Sequence, residues 1–136
     1  MSKYYLIGKK LPHSYSAKIH IDRGYDYELK EIAENDLGVF VKSGEYAGLN
    51  VTVPYKETVM RFLDDIDPSA AKIGAVNTVV KENGKLVGYN TDIVGMRFAF
   101  AAAEIDVRGR NVLLLGSGGT SKTARTLCEK LGAKSI

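Results

Sequence analysis

Short apolar stretches suited to strands alternate with stretches of helical spacing along the first 92 residues. This pattern predicts strands at residues 4–7, around Tyr25, Tyr27 and Leu29, and at 49–53, 75–80 and 86–89. Helices are predicted at 16–23, 35–43 and 55–63, with a helical turn after Pro68. An Asn-Gly pair at positions 83 and 84 separates the last two strands and indicates a hairpin. The expected class is therefore α/β, a mostly parallel sheet with one antiparallel hairpin strand and helices on both faces.

A different pattern begins at residue 93. Residues 93–104 are apolar around much of a helix, which predicts a helix packed between other elements. Residues 111–115 are continuously apolar, as in a parallel strand buried on both faces, and a glycine turn leads from them into a helix at 121–131. We therefore expect an α/β domain over 1–92, a bridging helix over 93–105 and an incomplete Rossmann-like unit over 106–136. Because the sequence stops at Ile136, it is interpreted as a fragment or a naturally short product.

The glycine turn is ambiguous when considered alone. Gly116 and Gly118 match the start of a G-x-G-x-x-G dinucleotide fingerprint, but Ser121 occupies the third glycine position. Lys122 and Thr123 nearly complete a phosphate-binding G-x-x-x-x-G-K-[ST] loop, in which Ser121 again replaces a glycine. A strand-to-helix turn without any ligand is the third interpretation.

Composition narrows the classes of function. The chain has 136 residues and a net charge of +3, and its 19 basic residues are scattered rather than clustered, so nucleic-acid binding is not indicated. Cys128 is the single cysteine and cannot form an internal disulfide. No apolar stretch approaches the roughly 20 residues of a membrane span, and no signal peptide is evident. We expect a cytoplasmic protein without a membrane partner.

Polar side chains converge where the strand at 49–53 ends. Asn50 and Thr52 alternate along the strand, and Lys56 follows Pro54, at the edge where open α/β sheets bind ligands. Asn77 interrupts an apolar run and needs a buried partner, which backbone groups could supply. Each of these residues could have a purely structural role, as could Asp92, which is placed to cap the helix that follows it.

Two serines precede the first predicted helix. Ser14 and Ser16 could simply cap this helix, since serine is a preferred N-cap residue. Two hydroxyls at this spacing, together with free backbone N–H groups at a helix start, also suit a carboxylate. His13 and His20 have no ligand-like partners in the sequence and are interpreted as structural. No metal-binding cluster or nucleophilic triad is evident.

Five motifs in order extend along the whole chain and together resemble shikimate dehydrogenases. These motifs are Gly8-x-x-x-Pro12-His13-Ser14-Tyr15-Ser16, Asn50-Val51-Thr52-Val53-Pro54-Tyr55-Lys56, Gly74-Ala75-Val76-Asn77-Thr78, Gly88-Tyr89-Asn90-Thr91-Asp92 and Gly116-Ser117-Gly118-Gly119. The resemblance implies a substrate-binding domain, a bridging helix and the start of an NADP-binding domain. It also implies NADP-dependent interconversion of 3-dehydroshikimate and shikimate in aromatic amino-acid biosynthesis, the pathway to chorismate.

The resemblance assigns roles residue by residue. It implies that Lys56 and Asp92 are catalytic, that Ser14 and Ser16 hold the shikimate carboxylate, and that Thr52 and Asn77 bind ring hydroxyls with Asn50 in support. The cofactor would contact the glycine turn, formed by Gly116, Ser117, Gly118, Gly119 and Thr120. Ala17 and Ile21 depart from the family pattern, which usually has proline and asparagine there.

Several alternatives remain open at this stage. Relatives that use quinate share the motifs, and the sequence does not decide between NADP and NAD. A non-catalytic module that holds shikimate without turning it over is the alternative class, because little of the cofactor domain is present. We also expect that the C-terminal lobe packs against its own substrate domain or pairs with a second copy as a homodimer.

Overall fold

The structure is a computed structural model that describes residues 3–12 and 14–136. The strands of the structure are β1 (Tyr4–Gly8), β2 (Tyr27–Glu31), β3 (Gly48–Val51), β4 (Asp65–Ile66), β5 (Thr78–Glu82) and β6 (Lys85–Tyr89). These six strands form one sheet in the spatial order β2-β1-β3-β5-β6-β4. Strand β5 is antiparallel to both of its neighbours, and the other three pairings are parallel. The predicted α/β class with one antiparallel hairpin strand is confirmed.

Helices lie on both faces of the sheet, as predicted. The helices are α1 (Ser16–Ile21), α2 (Glu34–Ser43), a short 3₁₀ helix (Thr58–Phe62), α3 (Pro68–Ile73), α4 (Asp92–Ala102) and α5 (Gly119–Lys130). One face of the sheet is covered by α2, α3 and the 3₁₀ helix, and their apolar side chains form the core with Ile7, Val51 and Val79 of the sheet. Helix α1 lies on the opposite face, beside β2.

The β5–β6 hairpin forms where the Asn-Gly pair predicts it. Asn83 and Gly84 have φ of 51° and 79°, the left-handed values that a two-residue hairpin turn requires. Helix α3 begins equally locally, because the Asp67 carboxylate accepts the backbone N–H of Ser69 at 2.9 Å. These elements are encoded by a few adjacent residues.

The predicted helix at 55–63 is wrong in type and extent, and the preceding strand ends at Val51 rather than at residue 53. Residues 53–57 form a turn, and only Thr58–Phe62 is helical, as a 3₁₀ helix. The backbone carbonyl of Lys56 explains the difference, because it accepts the N–H of Val76 at 2.7 Å rather than a bond within an α-helix. This contact fastens the turn after β3 to the segment before β5.

The C-terminal part also differs from the prediction. Helix α4 has no buried residue and packs mainly against α5, so the expected packing between several elements is not found in the described part of the chain. Residues 112–115 are not a buried strand, and Leu113 and Leu115 are 83% and 88% exposed. A strand needs a hydrogen-bonded neighbour, and here one parallel bridge, between Asn111 and Ser135, is formed. The turn and α5 nevertheless form as predicted.

Helix α5 packs against α3 and α4, so the C-terminal segment is attached to the first domain. This is one of the two expected arrangements of the tail, and pairing with a second copy stays a prediction. Among the described helices, none has the length and apolar character required to cross a membrane.

Candidate active site

Lys56 and Asp92 form an ion pair, although 36 residues separate them in sequence. The Lys56 Nζ lies 2.6 Å from the Asp92 Oδ2, and the two side chains are 13% and 30% exposed. Lys56 lies in the turn after β3, and Asp92 is the first residue of α4. A partly buried ammonium next to a carboxylate is an arrangement that can donate a proton to a ligand oxygen and be oriented while doing so.

The Asn77 amide binds the segment that carries Asp92. Its Nδ2 donates to the Asp92 Oδ1 at 2.9 Å and to the Thr91 hydroxyl at 2.8 Å. Its Oδ1 accepts the backbone N–H of Thr91 at 2.8 Å and the Thr78 hydroxyl at 3.0 Å. The buried partner that the sequence requires is therefore found, partly in the backbone. Asp92 is held by two donors, Lys56 and Asn77.

Asn50 extends this network across the sheet. Its Oδ1 accepts the Tyr27 hydroxyl at 2.8 Å, and its Nδ2 donates to the Thr78 hydroxyl at 3.4 Å. The sequence pattern indicates no site role for Tyr27, Thr78 or Thr91, because each contacts a residue that is distant along the chain. Thr78 and Thr91 do lie within two of the five quoted motifs, which is the signal that could have identified them.

Ser14, Ser16 and Thr52 line one cavity of about 200 Å³, beside β1 and the turn after β3. The Ser14 hydroxyl accepts the backbone N–H of Ser16, the first residue of α1, at 3.2 Å, although the N-cap residue of this helix is Tyr15. Lys10 lines the same cavity and contributes a positive charge that the sequence analysis did not use. The cavity therefore combines three hydroxyls with a cation, a combination suited to a carboxylate. His13 lies outside the described residues.

The glycine turn lies next to Lys56. A Cβ at Gly119 would lie 3.0 Å from the Lys56 Cβ, so only glycine fits this approach without a shift. Gly116 has φ of +128°, which favours glycine, and a Cβ at Gly118 would meet open space. Backbone N–H groups at the start of the 12-residue helix α5 complete a cradle that suits a phosphate.

Lys122 does not fit the alternative NTPase interpretation of this turn. Its Nζ pairs with the Glu57 carboxylate at 2.6 Å, away from the position that a phosphate-binding lysine needs. The arrangement favours a dinucleotide-type turn, in which glycines allow close backbone approach.

The fold and these side chains together define an α/β ligand-binding domain with a polar site at the carboxyl ends of its strands, next to a glycine turn. The sequence profile of the shikimate dehydrogenase substrate binding domain matches residues 6–79, and the chain belongs to this family.

Curated relatives carry the same family name. The chain is 42% identical over 145 residues to a shikimate dehydrogenase (NADP(+)) of Clostridium beijerinckii, matching 100% of the chain and 54% of the relative. It is 40% identical over 126 residues to the enzyme of that name from Methanococcus maripaludis, matching 86% of the chain and 45% of the relative. The chain thus spans about half the length of the relatives it matches.

Solved structures support the fold. Shikimate dehydrogenase 1 of Peptoclostridium difficile superimposes with a TM-score of 0.91 at 40% identity, covering 98% of the chain and 54% of that structure. A Thermus thermophilus shikimate 5-dehydrogenase in complex with NADP(H) and shikimate superimposes with a TM-score of 0.87 at 31% identity, covering 99% of the chain and 54% of that structure.

Proposed function

We propose that this chain forms the shikimate-binding part of an NADP-dependent shikimate dehydrogenase, with the start of its cofactor-binding part. The main support is the Lys56–Asp92 pair, which lies beside the glycine turn and is held by Asn77. In this proposal, the proton donor lies next to the position from which the cofactor approaches.

Lys56 and Asp92 are proposed to be the catalytic residues. Reduction of 3-dehydroshikimate leaves developing negative charge on the carbonyl oxygen, which must receive a proton. Lys56 supplies that proton, and Asp92 orients the ammonium and accepts a hydrogen bond from the hydroxyl that forms. The Lys56 side chain is only 13% exposed, so its charge acts with little screening by water.

Gly116, Ser117, Gly118, Gly119 and Thr120 are proposed to hold the phosphates of NADP. NADPH, when bound, supplies the hydride. Because Gly119 lies against Lys56, the turn that binds the cofactor also packs against the proton donor. The choice of NADP over NAD follows the names of the relatives.

Ser14, Ser16 and Lys10 are proposed to hold the shikimate carboxylate in their shared cavity. Thr52 and Asn77 are assigned to ring hydroxyls, with Asn50 in support. Both N–H groups of the Asn77 amide are already donated, to Thr91 and Asp92. A ring hydroxyl must therefore replace one of these acceptors or donate to Asp92 beside them.

The other predictions from the sequence stay part of the proposal. Quinate is the alternative substrate, and binding of shikimate without turnover is the alternative class of function. Cytoplasmic location and homodimer formation through the C-terminal lobe also remain proposals.

Calorimetry with shikimate tests the proposal on the 136-residue chain. Ser14→Ala should weaken binding about 10- to 100-fold, the scale of a hydrogen bond to a charged group. Ser43→Ala is the matched control, because this hydroxyl bonds the Phe40 carbonyl at the end of α2 and lies outside the cavity. Absence of shikimate binding at millimolar concentrations would overturn the proposal. A parallel NADPH oxidation assay separates catalysis from binding alone.

A further inference from the structure

Helix α1 is weakly attached to the rest of the domain, although it carries Ser16 and follows Ser14. It has six residues and no buried one, and Ile19 and Ile21 are largely exposed. Its main packing partner is β2. Apolar burial therefore contributes little to its position, and specific contacts must hold the two serines in place.

One such contact is a stack of two rings. The imidazole of His20 lies parallel to the ring of Tyr27, with centroids 4.1 Å apart and planes 9° apart. The His20 Nδ1 lies 2.7 Å from the Ser16 carbonyl oxygen, and since a carbonyl only accepts, Nδ1 carries the proton. His20 thus connects the Ser16 backbone to Tyr27, which is buried in the domain.

The hydrogen-bond directions lead from Tyr27 to the ion pair. The backbone N–H of Thr91 fixes the Asn77 Oδ1 as an acceptor, so the Thr78 hydroxyl must donate to that oxygen. Thr78 consequently accepts from the Asn50 Nδ2, which turns the Asn50 Oδ1 towards Tyr27. The Tyr27 hydroxyl must then be the donor.

Tyr27 is well suited to remain a donor. Burial raises the pKa of its hydroxyl to about 12, and a hydrogen bond with the Ser16 side chain opposes that shift only in part. The Tyr27 ring therefore meets His20, and its hydroxyl lies near both Ser16 and Asn50. A continuous set of contacts joins the serine end of the site to the Lys56–Asp92 end.

We propose that His20 and Tyr27 are positioning residues that fix the distance between the carboxylate-binding end and the reacting end of the site. The proposal rests on the proposed function, because it takes Ser14 and Ser16 as the carboxylate end. His20 fixes the serines through its ring stack, and Tyr27 connects that stack to Asn50 and the network beyond.

Two measurements on the 136-residue chain test this proposal. The first is amide hydrogen exchange in α1, where Ile19 and Asp22 donate to backbone carbonyls, compared with exchange in α2. The second is calorimetry with shikimate and with its uncharged methyl ester, which reports how strongly the site selects a carboxylate. The variants are His20→Ala and Tyr27→Phe. Their controls are Lys18→Ala on the same helix and Tyr25→Phe, which loses a hydroxyl outside the network.

His20→Ala should speed α1 exchange about 3- to 10-fold, the scale of a lost aromatic pair, with α2 unchanged. It should also reduce the preference for shikimate over the ester by a similar factor. Tyr27→Phe keeps the ring stack, so it should leave α1 exchange unchanged while weakening the binding of both ligands about 3- to 10-fold, the scale of one neutral hydrogen bond. Tyr25→Phe should match the unmodified chain, and Lys18→Ala, which removes only the exposed Lys18–Asp22 ion pair, should change α1 exchange by no more than about twofold.

Three results would overturn the proposal. One is an unchanged preference and unchanged α1 exchange in His20→Ala. Another is equally faster exchange in α2, which would make the stack a general support of the fold. The third is an unchanged affinity in Tyr27→Phe. If the unmodified chain binds neither ligand, the proposed function fails, while the exchange experiment still decides whether His20 holds α1.

Discussion

Asn90 joins three segments around the site, and its replacement gives a prediction that can be worked from the contacts. Its Nδ2 donates to the Ala75 carbonyl at 3.0 Å and to the Thr123 hydroxyl at 3.2 Å. Its Oδ1 accepts the backbone N–H of Ile93 at 3.1 Å, at the start of α4. Asn90 therefore ties the helix that begins with Asp92 to the loop before β5 and to α5.

Asn90→Ala removes all three bonds, but the cost differs among the partners. The Ala75 carbonyl belongs to a fully buried residue and loses this side-chain donor, which costs about 1–3 kcal/mol. Ile93 is only half-buried, so water can replace part of its bond at a cost of about 1 kcal/mol. The Thr123 hydroxyl keeps its bond to the Gly119 carbonyl. The free energy of unfolding should thus fall by about 2–4 kcal/mol.

Urea denaturation followed by circular dichroism measures this loss. With a slope of about 2 kcal/mol per molar urea, the middle of the usual range for small proteins, the midpoint should move by roughly 1–2 M. Thr123→Val is the matched variant, because it removes one of the three Asn90 bonds together with the bond from the Thr123 hydroxyl to the Gly119 carbonyl, and it should cost about 1–2 kcal/mol. The double variant with Asn90→Ala and Thr123→Val should be destabilised by less than the sum of the two single effects, since both changes break the Asn90–Thr123 hydrogen bond. A loss below about 0.5 kcal/mol for Asn90→Ala would refute the reasoning, because that is the scale of an ordinary surface substitution.

Three further predictions concern the glycine turn, the loop beside the cavity and the Lys122–Glu57 pair. Gly119→Ala should destabilise the chain by about 1–3 kcal/mol in urea denaturation, because its Cβ would lie 3.0 Å from that of Lys56. The control Gly118→Ala places its Cβ in open space and should change the free energy of unfolding by less than about 0.5 kcal/mol. Equal effects of the two variants would contradict the close approach of Gly119 to Lys56. The backbone N–H of Leu11 donates to the Glu31 carboxylate and lowers the pKa of that carboxyl below 4.5. This hydrogen bond therefore stabilises the loop that contains Leu11 above pH 4.5, and it is lost as the pH falls through the lower pKa of the folded state. The Leu11 amide signal should therefore titrate below pH 4.5, and a midpoint above 4.5, or titration in Glu31→Gln, would disprove this. Lys122→Met should lower the free energy of unfolding by at most about 1 kcal/mol, and by less in high salt, because the Lys122 and Glu57 side chains are both 42% exposed. A larger loss that does not depend on salt would show that Lys122 contributes more than this ion pair.

The sequence predicts elements whose causes are local. The β5–β6 hairpin follows from two adjacent residues that accept positive φ, and Gly44 ends α2 in the same left-handed region. The wrong predictions involve distant partners. Residues 112–115 lack the neighbouring strand that their apolar pattern requires, and the Lys56 carbonyl bonds Val76 rather than continuing a helix.

The site shows the same division. Lys56 and Asp92 could be paired in advance only through the family resemblance, because nothing in their spacing indicates contact. The sequence pattern indicates only that Tyr27 alternates along a strand, since its bond to Asn50 depends on how β2, β1 and β3 align. Hydrogen-bond networks that cross a sheet require the register, and the register is a property of the whole fold.

A crystal structure of the 136-residue chain with shikimate would show whether the two ends of the site bind one ligand together. We predict that the carboxylate lies within hydrogen-bond distance of the Ser14 and Ser16 hydroxyls. We also predict a ring hydroxyl within hydrogen-bond distance of both the Lys56 ammonium and the Asp92 carboxylate, which lie 2.6 Å apart. Shikimate bound in the reverse orientation, or elsewhere on the chain with these four side chains free, would contradict the account.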